Sequence, residues 1–249
     1  MNDNKYTESD IRFHGKFAEK LDHFWFYYKW HTVIALFIVF TLVVCISQSC
    51  SKQEVDLHVL YAGPYMYSDS EKYGTNNSGG AVGELNALLP RDYNKDGEKV
   101  TGLITYQVMT KEQIEKLKKE VEENNAKPDA EIMYVDTSYL TSQNELYTSA
   151  LMTGEYAILL VDEAMYYNLE NTEGRLRKLS DVFASVPANA MSEYGIRFSE
   201  TSLYKNSEYL SKLPESTVLC LLSPLVYGAT SNKSTYAQMT DMFIAMAQE

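Results

Sequence analysis

The most constraining feature of this sequence is the stretch of residues 32–50, which contains no charged side chain. A helix needs about 20 mostly apolar residues to cross the hydrocarbon of a bilayer. Both tryptophans, Trp25 and Trp30, come just before this stretch among further aromatic residues, as in the interfacial belts of membrane proteins. We therefore predict a transmembrane helix over this stretch, preceded by a segment, residues 1–31, that ends in an aromatic belt.

The basic residues around the predicted helix indicate its orientation. Only Lys52 follows it closely, whereas four basic residues precede it within the reach of the positive-inside rule, namely Arg12, Lys16, Lys20 and Lys29. We expect the N-terminus in the cytoplasm and residues 51–249 outside, at the cell membrane. Signal-peptide cleavage or lipidation at Cys50 is the open alternative, although no Ala-x-Ala site follows the apolar stretch.

The acidic balance of the chain limits its partners. The protein has 22 basic and 34 acidic residues and a formal net charge of −12. Residues 1–31 hold as many basic as acidic side chains, so the whole excess lies in residues 51–249. Nucleic-acid binding needs clustered Lys and Arg, and no nucleic acid is expected. The expected partners are the lipid bilayer and a small solute, a peptide or another envelope protein.

Residues 51–249 alternate between strand-like and helix-like segments. Apolar runs predict strands over residues 55–61, 99–109, 130–135, 156–161 and 218–222. Capping-box patterns at Thr110 and Ser142 predict two helix starts, and Gly154 suits the end of the second helix. Such alternation is typical of an α/β fold with a mostly parallel sheet. We expect this extracytoplasmic domain to follow the membrane helix after a short tether.

Strand ends are the expected ligand-binding positions, because open α/β sheets bind ligands beyond the carboxyl ends of their strands. Tyr61 and Tyr65 flank the end of the first predicted strand, while Asp136 and Asp162 directly follow the third and the fourth. These four residues are the candidate ligand-binding set. An Asp after a strand also serves as the N-cap of the next helix, so capping stays open for both aspartates.

One loop matches the first half of a calcium-binding loop. Oxygen-bearing side chains at alternate positions, followed by Gly97, can converge on one hard cation. Asp92, Asn94, Asp96 and Glu98 are therefore candidate ligands of a structural calcium ion, and no other cofactor is expected. The twelfth loop position is Leu103 instead of an acid, which leaves an acidic turn before a strand as the alternative.

Residues 51–249 contain few histidine and cysteine side chains, which commonly act as catalytic groups or metal ligands. His58 and Cys220 are the only histidine and cysteine beyond residue 50, too few for a four-ligand zinc site. Nucleophile-elbow, P-loop and dinucleotide-binding motifs are absent from the sequence. No catalytic residue is predicted. Paired carboxylates can hydrolyse glycans, so a carboxylate-dependent cell-envelope hydrolase stays open as an alternative.

Residues 146–181 carry a resemblance to a known family. They contain Ala-Leu-Met-Thr-Gly-Glu-Tyr, an apolar strand ending in Asp162, a Tyr-Tyr-Asn-Leu helix and a Gly-x-Leu-x-x-Leu-Ser-Asp turn. This pattern resembles extracellular solute-binding proteins of the two-lobed, periplasmic-binding type. The resemblance implies a binding-protein-like fold and solute binding. Binding residues in that family vary with the substrate, so none is carried over.

Two further segments resemble uncharacterised single-pass membrane proteins of Gram-positive bacteria. They are Phe-Tyr-Tyr-Lys-Trp-His at residues 26–31 and Tyr-Ala-Gly-Pro at residues 61–64, and they imply no activity. Residues 51–249 are few for two full lobes. We therefore predict a membrane-anchored extracytoplasmic binding or interaction module. A scaffold or accessory subunit of a membrane complex is an alternative, beside the hydrolase.

Overall fold

The structure, a computed structural model, describes residues 16–50, 55–68, 70, 72, 79–128 and 131–248, with the backbone alone for residues 16–23 and 46–50. Contacts between residues divide the chain into two compact units, Met1–Lys52 and Gln53–Glu249.

The described part of the first unit is one long helix, α1 (Lys16–Cys50). Its stretch Phe24–Cys45 has a mean hydropathy of 1.8 and forms the one described helix that is long and apolar enough to cross a membrane. Large side chains such as Phe37 and Phe40 are exposed. The Thr41 hydroxyl donates to the Phe37 carbonyl (2.8 Å), which satisfies a polar group within the apolar stretch. By length and composition, α1 fits a single membrane span or a signal sequence.

The second unit combines strands and helices, which confirms the predicted α/β class. Its strands are β1 (Leu57–Gly63), β2 (Thr101–Gln107), β3 (Ile158–Asp162), β4 (Gly195–Arg197) and β5 (Thr217–Leu221). Its helices include α2 (Gly80–Leu88), α3 (Lys111–Asn125), α4 (Thr137–Thr153), α5 (Glu163–Glu170), α6 (Ser202–Asn206) and α7 (Lys233–Met246).

The strands form one mixed sheet in the order β2-β1-β3-β5-β4. β1 runs parallel to β2 and to β3, whereas β5 runs antiparallel to β3 and to β4. The sheet is thus a parallel half joined to an antiparallel half, and it is less parallel than predicted. The long irregular path between α5 and β5 allows this reversal, because only parallel neighbours require a crossover connection.

Helices cover both faces of this sheet. Leu57 and Val59 of β1 belong to the core that includes residues of α2 and α7, while Leu60 and Ala62 belong to the core that includes residues of α4 and α5. Every residue of β3 and β5 is buried. Burial on both faces explains why these two strands are continuous apolar runs in the sequence.

The two predicted helix starts have different outcomes. The capping box is confirmed, because the Thr110 hydroxyl accepts the Gln113 N–H (3.2 Å) and the Gln113 side chain accepts the Thr110 N–H (2.7 Å). The start predicted at Ser142 is wrong, since α4 begins at Thr137 and is capped by Asp136. The aspartate six residues earlier takes the role that the sequence pattern assigned to the serine.

The strand predicted over residues 130–135 is wrong. Its described residues pair with no strand of the described chain, and Ile132 and Tyr134 are 84% and 83% exposed. The Asn125 side chain instead accepts the Met133 N–H (2.9 Å) and donates to the Met133 carbonyl (2.8 Å). An apolar run forms a strand only where a neighbouring strand can accept and donate its backbone hydrogen bonds. Here the Asn125 side chain forms the hydrogen bonds of the Met133 backbone instead.

A close backbone contact lies at the end of α4. Gly154 has a φ of 72°, and a Cβ added to it would lie 2.4 Å from the Tyr227 carbonyl oxygen. Gly174 has nearly the same φ, 71°, but no atom within 4 Å of its added Cβ. A comparison of alanine substitutions at these two glycines therefore distinguishes the cost of the left-handed backbone from the cost of a steric clash.

We expect Gly154→Ala to lower the free energy of unfolding more than Gly174→Ala. The left-handed backbone alone costs an alanine about 1–2 kcal/mol, and the clash at Gly154 adds about 1–3 kcal/mol. Urea unfolding of the full-length protein in detergent micelles measures both losses. Equal losses would mean that the backbone around Gly154 relaxes without cost.

Candidate functional site

The carboxyl ends of the three parallel strands meet at one edge of the sheet, the carboxyl edge. β1, β2 and β3 end there at Gly63, Gln107 and Asp162. Gly63 and Gln107 are direct neighbours in the register. Gly63 and Asp162 stand one step beyond the last paired residues of β1 and β3. Residues that follow these strands therefore lie close together.

Tyr61 lies inside this edge. Its side chain is 1% exposed and bends back over Gly63, where an added Cβ would lie 2.5 Å from the Tyr61 hydroxyl oxygen. That oxygen accepts the Tyr65 N–H (3.2 Å). Burial raises the pKa of the Tyr61 hydroxyl, and the Asp162 carboxylate adds a smaller rise. The hydroxyl therefore stays protonated at neutral pH.

Asp162 is a helix cap and the centre of a hydrogen-bonded group. Its Oδ1 accepts the Ala164 N–H (3.1 Å) and an amide N–H of Gln113 (3.4 Å). Its Oδ2 accepts the Ser216 hydroxyl (3.3 Å). The residue is only 6% exposed. Capping of α5 is therefore confirmed, and the same carboxylate lies buried at the carboxyl edge.

Tyr65 and Asp136 lie toward the outside of the edge. The Tyr65 ring is half-buried and packs edge-to-face on Tyr67, with 5.0 Å between ring centroids. The N-terminal turn of α4 reaches the same edge, since the Tyr139 hydroxyl lies 3.1 Å from the Met66 sulfur. Asp136 is exposed and accepts the Tyr139 N–H (2.9 Å), so it is a helix cap at the rim.

Three of the four predicted ligand residues are thus brought together. Tyr61 is hydrogen-bonded to the Tyr65 backbone and interacts electrostatically with Asp162. Asp136 comes from the start of α4 instead of a strand end. Both aspartates cap helices, so the capping interpretation applies to each, and for Asp162 it does not exclude a ligand.

Sequence reasoning missed the side chains that complete this group. Gln113 was recognisable only as part of a capping box, although its amide also reaches Asp162. Ser216 and Thr217 precede and begin β5, and the Thr217 hydroxyl is buried without a hydrogen-bond partner in the described chain. No local sequence signal marks these residues, because their elements approach one another only in the folded chain.

The candidate calcium loop folds around its own backbone. The two Asp92 carboxylate oxygens accept the Lys95 N–H (2.6 Å) and the Gly97 N–H (2.8 Å). Asn94 and Asp96 each accept the N–H two residues ahead (2.9 Å). Lys95 and Gly97 have positive φ values of 64° and 97°, which produce the sharp turn expected of the motif.

No metal centre is formed by the described residues, since no group of three or more His, Cys, Asp or Glu side chains there is arranged to hold an ion. Calcium binding by Asp92, Asn94, Asp96 and Glu98 therefore stays a prediction. The loop is ordered by backbone hydrogen bonds to its own side chains, which is also what an acidic turn requires.

Asp56 anchors this loop to β1, and the sequence did not mark it. Its Oδ1 accepts the Tyr93 N–H (2.7 Å) and the Asn94 N–H (2.9 Å). Its Oδ2 accepts the Val100 N–H (2.9 Å) just before β2. One carboxylate therefore joins both ends of the loop to the first strand.

His58 and Cys220 lie away from the carboxyl edge. His58, near the other end of β1, packs edge-to-face on Tyr156 at 5.9 Å. Burial lowers the pKa of His58, and Glu155 offsets part of that change. Burial raises the pKa of the Cys220 thiol, which is the opposite of what activates a nucleophilic cysteine.

Described residues also form four surface grooves with volumes of about 310, 470, 200 and 330 Å³. The largest of these four lies along residues 178–193. None of the four is lined by Tyr61, Tyr65 or Asp162.

Comparison with known proteins adds no family to these observations. No protein-family model, curated protein or solved structure matches the chain significantly. The resemblances to solute-binding proteins and to single-pass membrane proteins of Gram-positive bacteria therefore stay predictions.

We expect Asp56→Ala to lower the free energy of unfolding by about 3 kcal/mol, because three backbone N–H groups lose a charged acceptor. Asp241→Ala is the matched control. It removes an exposed ion pair with Arg91, and such pairs contribute about 0.5 kcal/mol or less. Urea unfolding in detergent micelles measures both changes. A loss for Asp56→Ala no larger than for the control would contradict the anchoring role.

Proposed function

We propose that this protein is an extracytoplasmic binding module held in the cell membrane by α1, with its N-terminus in the cytoplasm. Its ligand, a small solute or a peptide, binds at the carboxyl edge of the parallel half of the sheet. The convergence of Tyr61, Tyr65 and Asp162 carries the proposal, because α/β sheets bind ligands beyond the carboxyl ends of their strands.

Support for the membrane anchor comes from the surface of α1. The stretch Phe24–Cys45 spans 22 residues with a mean hydropathy of 1.8, and its apolar side chains point outward, where water would be unfavourable. No charged side chain lies in the stretch of residues 32–45. The basic residues before the stretch favour a cytoplasmic N-terminus. A helix that stays uncleaved in the bilayer accounts for these features together.

Support for ligand binding comes from the chemistry of the edge. Tyr65 and Tyr139 each offer an apolar ring with a polar tip and are partly exposed, a combination common at binding surfaces. Gln107 and Gln143 add amide groups at the end of β2, where the Gln143 side chain accepts the Gln107 N–H (3.4 Å). Rings and amides suit a sugar, an amino acid or a short peptide.

The scaffold alternative has one observation in its favour. Ile132, Met133 and Tyr134 form an exposed apolar segment after α3, and exposed apolar patches mark protein contacts. The hydrolase alternative has none. The hydrogen-bonded group around Asp162 contains no second carboxylate among the described residues, and glycoside hydrolysis uses a pair.

Cysteine labelling in whole bacterial cells tests the anchor and its orientation. A membrane-impermeant maleimide should label Ser231→Cys, an exposed position of the second unit, and should not label Ser9→Cys until the cells are opened. The unsubstituted protein is the control for its own cysteines. Labelling of Ser9→Cys alone in intact cells, or loss of the N-terminal segment from the mature chain, would contradict the proposal.

Thermal scanning of the full-length protein in detergent micelles tests ligand binding. At least one compound from a set of sugars, amino acids and short peptides should raise the midpoint of thermal unfolding, and the rise should saturate. A ligand at 100 times its Kd stabilises the native protein by about 2.7 kcal/mol. Tyr65→Ala should remove this shift. Tyr227→Ala, a substitution of an exposed tyrosine beyond the other end of β3, should retain it. No shift with any compound would contradict solute and peptide binding.

A further inference from the structure

We propose that the ligand of the carboxyl edge carries a primary ammonium group, which binds the Asp162 carboxylate between the hydroxyls of Ser216 and Thr217. This inference rests on the proposed function and adds the chemical class of the ligand. It follows from three features of the group around Asp162: its charge, the length of its hydrogen bonds and a buried hydroxyl beside it.

The charge of Asp162 has no counter-charge in the described chain. The residue is 6% exposed, and no described Lys, Arg or His nitrogen lies within 4 Å of its carboxylate. The described ion pairs involve other, more exposed acids. Buried charges are normally paired, because leaving water is unfavourable for an isolated ion. A cationic ligand would supply the missing partner.

The hydrogen bonds that Asp162 makes to side chains are long. The Gln113 amide lies 3.4 Å from Oδ1 and the Ser216 hydroxyl 3.3 Å from Oδ2, whereas charged acceptors usually draw donors to about 2.7–2.9 Å. Only the Ala164 N–H, the helix-cap donor, is closer, at 3.1 Å. A ligand can therefore replace the Gln113 and Ser216 contacts while the cap stays in place.

The third feature is Thr217, which stands directly opposite Asp162 in the antiparallel register of β3 and β5. Opposite side chains on one face of such a pair have Cβ atoms about 4.5–5.5 Å apart. Thr217 is 1% exposed, and its hydroxyl has no partner among the described residues. An unsatisfied buried hydroxyl beside an unpaired carboxylate is unfavourable in the unliganded protein.

These acceptors match one donor group in number. The Asp162 carboxylate, the Ser216 hydroxyl and the Thr217 hydroxyl are three acceptor groups, and a primary ammonium has three N–H donors and one positive charge. A neutral hydroxyl group brings no charge, and a quaternary ammonium brings no N–H donor. A primary amine therefore fits the group better than either.

The proposal has a consequence for the unliganded protein. Asp162→Asn keeps an oxygen for the Ala164 N–H, because Asn caps helices as well as Asp, but removes the unpaired charge. We expect a higher thermal midpoint for Asp162→Asn than for the unsubstituted protein. A purely capping role predicts a lower midpoint instead, since a helix N-terminus favours a negative charge.

Binding is tested with two probes of equal length, 1,5-diaminopentane and 1,5-pentanediol, on the full-length protein in non-ionic detergent at constant ionic strength. The diamine should raise the thermal midpoint saturably, and the diol should not. Asp162→Asn should weaken diamine binding at least tenfold. Asp241→Asn, the same substitution at a partly exposed aspartate of α7 that pairs with Arg91, should leave binding unchanged.

Thr217→Val provides an independent measurement. It removes the buried hydroxyl at nearly constant shape, so it should not lower the midpoint, and it should weaken diamine binding severalfold. Unchanged diamine binding by Thr217→Val overturns the proposal. A lower midpoint or loss of folding in Asp162→Asn contradicts the expected removal of an unfavourable charge and overturns it as well. Undiminished diamine binding by a folded Asp162→Asn, or diamine binding weakened equally by Asp241→Asn, also overturns it.

The same data separate failure of this inference from failure of the proposed function. If sugars or peptides stabilise the protein through Tyr65 while the diamine has no effect, the binding edge stands and the ammonium group is wrong. If no compound of either set shifts the midpoint, both proposals are wrong.

Discussion

The loops of this domain depend on carboxylates that accept backbone N–H groups. Asp56 joins β1 to both ends of the loop before β2, and Glu84 on α2 accepts the N–H groups of residues 208–210. Asp92 closes its own loop, and Asp162 caps α5. Hydrogen bonds to a charged acceptor are stronger than neutral ones. Part of the acidic excess of the domain therefore has a structural role within loops.

Asp162 differs from the other carboxylates in its surroundings. Asp56, Glu84 and Asp92 are partly or fully exposed, so water shares in solvating their charge. Asp162 is buried at the end of a fully buried strand, beside the buried hydroxyl of Thr217. A sheet covered by helices on both faces holds these groups in place, as a rigid frame holds a binding site. Such a frame can hold a buried hydroxyl, that of Thr217, which has no hydrogen-bond partner among the described residues.

The sequence predicted the parts of the fold that are specified locally. Apolar runs located β1, β3 and β5, which are buried along most of their length. The pattern also located β2, of which only Thr101 and Leu103 are buried. The direction of β5 and the presence of β4, only three residues long, depend on the chain path between distant elements. The apolar run at residues 130–135 failed for the converse reason, since local pattern does not supply a pairing partner.

The residues of the candidate site also fall into two groups, those that the sequence predicted and those that only the structure revealed. Tyr61, Tyr65 and Asp162 were predictable because they lie in or just after the last residues of β1 and β3, whose carboxyl ends share an edge. Gln113 and Thr217 were not, because α3 and β5 bring them to Asp162 only through the tertiary fold. Site residues next to a strand end can thus be predicted from the sequence, whereas site residues contributed by other elements are found only in the structure.

The two glycines where α4 meets the turn after β5 tie the parallel and antiparallel halves together. A Cβ on Gly228 would lie 2.3 Å from the Thr153 carbonyl oxygen, and the Thr230 N–H donates to the Gly154 carbonyl (2.8 Å). Because β3 and β5 also pair along their length, neither half can separate without breaking backbone contacts of the other. Cooperative, all-or-none unfolding of the domain follows from this arrangement, and any ligand held at the sheet edge would be released in that one step.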